Sequence, residues 1–167
     1  MFDKKLLIEL QEYIDIHVKE DIIEYCDVIY PEKTFYEEIH KDQLKDFIKN
    51  KRKPKFNQVL FSFIDKKGES DSEVYKRAGI DRRHFSKIRS DPNYCIGKNS
   101  AIALALALEL NIEQTDELLS AAGYTLSDSD IFDLVIQFCI ERKIYNIYDV
   151  NQALDYFSLK PLIGVSE

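Results

Sequence analysis

The chain has 167 residues, 45% of them hydrophobic and 12% aromatic, which is enough for the core of one domain with extensions. Five glycines and four prolines argue against long disordered stretches. The net charge of −7 disfavours a nucleic-acid binder, but residues 51–100 hold 13 Lys/Arg and 6 Asp/Glu, while both flanks are acidic. The charges therefore favour one electropositive face on an acidic protein, the alternative being a solvated surface with accidental clustering.

The three cysteines, Cys26, Cys95 and Cys139, stand apart in the sequence, so they predict neither a disulfide framework nor a zinc site. Cys139 falls on an apolar helical stripe and is expected in the core. The N-terminal segment lacks a long apolar run and a small-residue cleavage site, so no signal peptide is expected. No segment reaches about 18 apolar residues, and no membrane helix is expected. These features fit a cytoplasmic protein.

Helical periodicity begins near the N-terminus. Residues 4–25 place apolar side chains on one face of a helix, namely Leu7, Leu10, Ile14, Val18 and Ile22. A less regular helix follows with Thr34 as its N-cap, and its apolar positions are Phe35, Ile39, Leu44, Phe47 and Ile48. In the basic segment 49–55, Pro54 disfavours helix at Lys53, so a domain boundary is predicted there.

The next helix is predicted over residues 57–65. Its inward positions are Phe56, Val59, Leu60, Phe63 and Ile64. Gly68 is suited to the left-handed conformation that ends a helix. Ser70 and Glu73 then have the spacing of a capping box, which predicts the start of another helix.

Gly79 ends that short helix, and Asp81 is positioned to cap a further helix over residues 82–90, which Asp91 and Pro92 stop. The inward set across this helix pair is Val74, Ala78, Ile80, Phe85 and Ile88. Small residues at the turn permit close approach of two helices, as in a helix-turn-helix.

Residues 99–110 alternate alanine with isoleucine or leucine, a pattern that a strand could also show. We favour a central buried helix, because alanine and leucine are strong helix formers. Asn111 ends it, and a short helix with Leu118 and Leu119 inward runs to Gly123. Ser127 or Asp128 is predicted to cap a helix with an apolar stripe of Ile131, Leu134, Val135, Phe138 and Cys139. A last helix carries Ile147, Val150, Leu154 and Phe157.

The sequence VYKRAGIDRRHFSKIRSD carries the main functional signal. With the apolar side chains of the second helix inward, its outer face holds Arg82, Arg83, Ser86, Lys87 and Arg89. Arginine and lysine can donate to guanine edges or to phosphates, and a major groove admits a helix. The outer face is therefore predicted to contact nucleic acid, the alternative being a solvated or protein-docking helix face.

Residues 56 to about 122 resemble the Cro/repressor-type helix-turn-helix family, often called XRE-like. VYKRAGI resembles its first helix, DRRHFSKIRSD its recognition helix, and AIALALALELNIEQTDELL the pair that closes its five-helix bundle. The resemblance implies that Arg82, Arg83 and Lys87 contact bases. It also implies that Ser86, Arg89 and Lys98 lie near phosphates, the last of them just before the fourth helix.

The chain departs from this family after the recognition helix, where RSDPNYCIG stands in place of the usual Glu-x-Gly, and Tyr75 or Lys76 replaces a glutamine near the turn. More narrowly, residues from FSFIDKKGESDSEV to YNIYDVNQAL resemble a module of bacterial proteins that is appended to other domains. That likeness fits a regulator. It equally fits an adaptor of accessory or phage-defence systems.

The predicted architecture is all-α, a five-helix Cro/repressor-like bundle with helical extensions. Its regions are an acidic helical part at 1–53, the helix-turn-helix bundle at 54–124 and a C-terminal extension at 125–167. The expected function is a DNA-binding transcriptional regulator. The alternative is a protein-interaction module that keeps the fold, with a partner held by the recognition-helix face or the acidic N-terminal region.

No enzyme is expected, because His17, His40 and His84 lie far apart and no phosphate loop or nucleophile motif is present. His84 is expected as a surface or packing residue. The sequence DSD at 128–130 is interpreted as an acidic helix start. Neither a cofactor nor a metal is expected. The two amphipathic helices at 131–157 extend the core or form a homodimer interface.

Overall fold

A computed structural model describes residues 40–163. Between these residues the chain forms helices and turns with no strand, which confirms the all-α class. The helix predicted over 4–25, Thr34, Cys26 and His17 lie outside the described residues. The eight helices found in the described range are α1 Lys41–Lys51, α2 Phe56–Lys67, α3 Asp71–Arg77, α4 Arg82–Ser90, α5 Lys98–Ala107, α6 Ile112–Ala121, α7 Ile131–Glu141 and α8 Ile147–Tyr156.

The chain divides between Lys51 and Arg52 into two units, and α1 is the described helix of the first. None of the residues of α1 is buried, and an exposed pair between Asp42 and Lys45 spans 3.6 Å on its surface. The second unit contains α2 to α8 and includes both the predicted bundle and the predicted C-terminal extension. The boundaries that the sequence suggests at 53/54 and 124/125 stay predictions.

Local signals begin and end α2, α3 and α4. Gly68 ends α2 with a φ of +66°, a left-handed conformation that glycine adopts without steric cost. Ser70 and Glu73 form the predicted capping box at the start of α3. Asp81 caps α4 by accepting a hydrogen bond from the N–H of Arg83 at 2.6 Å. Each of these predicted signals is confirmed.

Helix α5 lies at the centre of the second unit. It packs against α3 and α6, and α6 packs in turn against α2. Every residue from Ala101 to Leu108 is buried, so α5 has no solvated face beyond its first turn. The alternating sequence is therefore a helix and not a strand, as the helix propensities of alanine and leucine favoured. The inward residues predicted for α2, α3, α4 and α6 are all buried as well.

The face that α7 buries differs from the predicted stripe. Ile131, Leu134 and Phe138 were expected inward, but they are exposed. The buried face consists of Asp133, Val135, Ile136, Cys139 and Ile140. Apolar residues occupy more of the circumference of α7 than α6 and α8 cover. Periodicity alone therefore did not reveal which side of α7 is buried.

Two further details of α7 and α8 correct the sequence analysis. The N-cap of α7 is Asp130, whose Oδ1 accepts hydrogen bonds from Phe132 N at 2.8 Å and Asp133 N at 3.3 Å. Ser127 and Asp128 precede the cap. At the end of α8, Phe157 is exposed and only Val150 and Leu154 are buried. The acidic DSD segment does form a helix start, as interpreted.

None of the helices between residues 40 and 163 is long and apolar enough to cross a bilayer. The longest of them, α2, has 12 residues. A transmembrane helix needs about 20.

Candidate nucleic-acid interface

Helix α4 is fixed to the bundle by its inner side. Phe85 and Ile88 are 3% and 2% exposed. The Phe85 ring meets Phe61 of α2 edge-on at 6.0 Å between centroids, and Tyr75 of α3 at 5.7 Å. Such aromatic pairs add about 0.5–1.5 kcal/mol each beyond the area that they bury. The inner side therefore holds α4 in one orientation against two other helices.

The outer side of α4 presents polar side chains to solvent. Arg82, Arg83, Ser86 and Lys87 are all exposed. Within the described part of the chain, no carboxylate lies within ion-pairing distance of the three cations. An α-helix with its side chains is about 10–12 Å across, and the major groove, about 12 Å wide, admits it. These four side chains form a short cationic surface, here called the α4 face.

Arg89 lies at the end of α4 but is engaged inside the protein. Its guanidinium donates to Asp71 of α3 at 2.7 Å. The same group lies 4.2 Å from the centroid of the Phe61 ring, within the range of a cation–π contact. Arg89 therefore links α4 to α3 and α2. Arg89 was predicted to lie near a phosphate, and neither of these two partners was predicted.

Lys98 is paired with a carboxylate of α7. Its ammonium lies 2.6 Å from Oδ2 of Asp133, a carboxylate that is 1% exposed. A lysine that neutralises a buried carboxylate is not free to neutralise a phosphate. The position of Lys98 at the start of α5 agrees with the sequence analysis, but its engagement with α7 was not foreseen. Lys98 is therefore omitted from the α4 face.

The segment after α4 is fastened by side chains that sequence reasoning did not single out. Lys55 donates to Oδ1 of Asn93 at 2.6 Å, which ties this segment to the start of α2. Tyr124 donates its hydroxyl to the carbonyl of Ile96 at 3.0 Å. Because Lys55 belongs to the basic stretch 49–55, that stretch was the available signal. The basic stretch alone does not indicate that Lys55 contacts Asn93.

His84 occupies the flank of α4 toward this segment. Its ring lies 5.6 Å from the Tyr94 ring in an edge-on arrangement, and its Nε2 is buried without a hydrogen-bond partner. This agrees with the expected packing role. From residue 40 to residue 163, no three His, Cys, Asp or Glu side chains form a group that could hold a metal ion.

The chain matches no protein-family model, and it matches no curated protein and no solved structure. The resemblance to helix-turn-helix regulators therefore rests on the residues of the sequence alone.

Proposed function

We propose that this protein is a DNA-binding regulator that docks the α4 face in the major groove. In this proposal α2 to α6 form a five-helix bundle of the Cro/repressor type, with α3 and α4 as the helix-turn-helix. Arg82, Arg83 and Lys87 reach base edges or phosphates, and Ser86 donates to a phosphate oxygen. Transcription control is the biological role that best fits such a module.

One observation carries the proposal. The outer side of α4 has three unpaired cations in the described structure, while its inner side is anchored by two buried residues. Recognition requires side chains that are held on a rigid element and have not already been neutralised by the protein. Arg89 and Lys98 show the contrasting case, since each faces a carboxylate.

The cation count sets the expected salt dependence. Each phosphate neutralised contributes about −0.9 to the slope of log K against log salt concentration. Three cations per chain therefore predict a slope no steeper than roughly −3 for one copy on duplex DNA, reached when all three neutralise phosphates. That slope is small beside those of strongly basic DNA-binding proteins. The net charge of −7 repels DNA most strongly at low salt, where the repulsion is least screened, and this makes the expected slope shallower.

The test measures binding of the full chain to duplex DNA fragments, by fluorescence anisotropy over a series of salt concentrations. The variant Arg82→Ala/Arg83→Ala should bind at least about 30-fold more weakly at low salt, because it removes two contacts of about 1–3 kcal/mol each. Its salt slope should fall by about 0.9 for each of the two arginines that neutralises a phosphate. Its circular dichroism spectrum should match the wild type, since both side chains are exposed.

The matched control is Lys66→Ala/Lys160→Ala, which removes the same charge from exposed positions outside α4. It should retain most of the affinity. Equal losses in both double variants would mean that binding is non-specific attraction to positive charge. Absence of DNA binding by the wild type at low salt would refute the proposal.

A second candidate is a protein-interaction module that uses the α4 face against an acidic partner. The observation in its favour is the engagement of Arg89 and Lys98, which leaves few cations for a polyanion. A stable protein complex lost in Arg82→Ala/Arg83→Ala, with no DNA retention at low salt, would favour this candidate over DNA binding.

A further inference from the structure

Helices α7 and α8 enclose an apolar groove that opens to solvent. Its volume is about 590 Å³. Val135 and Ala153 form its floor, and Ile131, Leu134, Phe138, Tyr156 and Phe157 form its walls. These seven residues define the α7/α8 groove. The wall residues are not part of the core of the second unit, since α7 and α8 bury other side chains and leave these five exposed.

The exposed apolar area of the groove is large for an isolated chain. The five wall residues are between 43% and 83% exposed. At about 200 Å² per large side chain, they present on the order of 600 Å² of surface. Monomers seldom leave a larger apolar patch than about 300–600 Å². A standard interface buries about 800 Å² per partner, and these side chains alone supply up to roughly 600 Å² of it.

We propose that the α7/α8 groove is the interface of a homodimer, with the α7/α8 pair of a second copy as its occupant. Two helix pairs facing each other make a four-helix arrangement, which buries apolar stripes from both copies. A two-fold axis brings the same groove together from both sides, so one apolar surface suffices for the whole interface.

Charges along α7 support this occupant. Asp128 and Asp130 precede its first turn, whereas Arg142 and Lys143 follow its last residue, Glu141, which leaves the C-terminal end with a balance of +1. A two-fold axis perpendicular to α7 sets the two copies antiparallel, so the acidic end of each helix lies beside the basic end of the other. The guanidinium of Arg142 lies 5.4 Å from the centroid of the Phe138 ring, directly at the groove. The antiparallel pairing of the two α7 helices therefore places opposite charges side by side and also buries apolar surface.

The dimer does not depend on the DNA-binding proposal, and its test contains no DNA. If the dimer forms and the α4 face binds no duplex, only the proposed function fails. If the chain is a monomer that binds duplex, only this inference fails.

The experiment measures the mass of the full chain by sedimentation equilibrium over a range of micromolar concentrations. The wild type should dimerise reversibly. Phe138→Asp should raise the dimer dissociation constant by at least about 30-fold, the loss typical of a central interface residue. Tyr148→Asp is the matched control, because Tyr148 is 68% exposed on α8 but does not line the groove. It should leave the dimer intact.

Arg142→Glu provides a second variant at an exposed position, and it should weaken the dimer. Asp128→Lys combined with Arg142→Glu should restore part of the loss. Circular dichroism establishes that each variant is folded. A monomeric wild type at all concentrations would overturn the inference. So would a dimer that survives both Phe138→Asp and Arg142→Glu, since the interface would then lie elsewhere.

Discussion

The ammonium of Lys98 lies 2.6 Å from Oδ2 of Asp133 and joins the first turn of α5 to the first turn of α7. Oδ2 also accepts a hydrogen bond from Ser127 N at 2.8 Å, whereas Oδ1 is buried without a partner. Lys98 is 32% exposed along its side chain, and Asp133 is 2% exposed. The buried carboxylate therefore needs Lys98 to stabilise its charge, whereas the partly exposed ammonium of Lys98 can also be stabilised by water.

This asymmetry predicts unequal effects of removing each partner. Lys98→Met should lower the free energy of unfolding by about 3 kcal/mol, because it leaves a buried charge unpaired. Asp133→Asn should cost about 1–2 kcal/mol, since the amide oxygen can still accept from Ser127 and the lysine can turn to water. Urea unfolding followed by circular dichroism measures both values.

The double variant Lys98→Met/Asp133→Asn should lose less unfolding free energy than the sum of the two single losses, because it leaves neither charge unpaired. Lys160→Met, at an exposed lysine, is the control and should change little. Strict additivity of the two single changes would show that the pair contributes no coupling energy.

Arg89 should act on stability rather than on DNA affinity. Arg89→Ala removes a half-exposed ion pair and a cation–π contact, which together contribute about 1 kcal/mol after solvent screening. Arg89→Lys should recover only part of this loss, since lysine cannot stack or donate in the same fork. The measurements are thermal unfolding and the salt slope of DNA binding. A slope that falls as far in Arg89→Ala as in Arg83→Ala would mean that Arg89 leaves Asp71 for a phosphate.

The capping box of α3 should give the fold an acid-sensitive contribution. The hydroxyl of Ser70 donates to Oε2 of Glu73 at 2.8 Å and its N–H donates at 3.1 Å, and these bonds lower the pKa of Glu73. A lowered pKa in the folded state stabilises the fold above the ordinary glutamate pKa. The contribution disappears as the pH falls through the lowered value.

Glu73→Gln should therefore flatten the decline of unfolding free energy on acidification, measured by urea unfolding at a series of pH values. Ser70→Ala should return the Glu73 pKa toward its ordinary value in an NMR titration. Glu117→Gln, at an exposed glutamate outside any capping box, is the control. An unchanged Glu73 titration in Ser70→Ala would contradict the assignment.

The two cysteines in the described range should differ in reactivity. Cys139 is buried, and burial raises the pKa of its thiol, with the carboxylate of Asp149 adding to the effect. A raised pKa reduces the thiolate that attacks an electrophile. Cys95 is exposed. Brief alkylation of the folded chain, followed by peptide mass spectrometry, should label Cys95 and leave Cys139 unmodified until urea unfolds the protein. Equal labelling of both would indicate local opening of α7.

Much of the local structure could be predicted because its causes lie within a few residues. The box at Ser70 and Glu73, the left-handed Gly68 and the cap at Asp81 each act through the adjacent turn. The orientation of α4 follows as well, since Phe85 and Ile88 are the large apolar side chains between its charged positions. The outward α4 face was therefore predictable from sequence.

The features that sequence reasoning did not find depend on contacts between distant parts of the chain. Asp133 and Lys98 are 35 positions apart, and no short pattern links a lysine at one helix start to an aspartate at another. The same limit applies to Arg89 and Asp71. Which side of α7 is buried depends on where α6 and α8 lie, and Leu134 is as apolar as the residues that were buried instead.

The burial of α5 determines how its amide hydrogens exchange with solvent. Because Ala101 to Leu108 are all shielded from water, their amide hydrogens can exchange with solvent only when the surrounding helices separate. Local opening at a helix end or at a surface turn does not expose these amide hydrogens to water. Their exchange rates would therefore report the free energy of global opening directly, in native buffer and without denaturant.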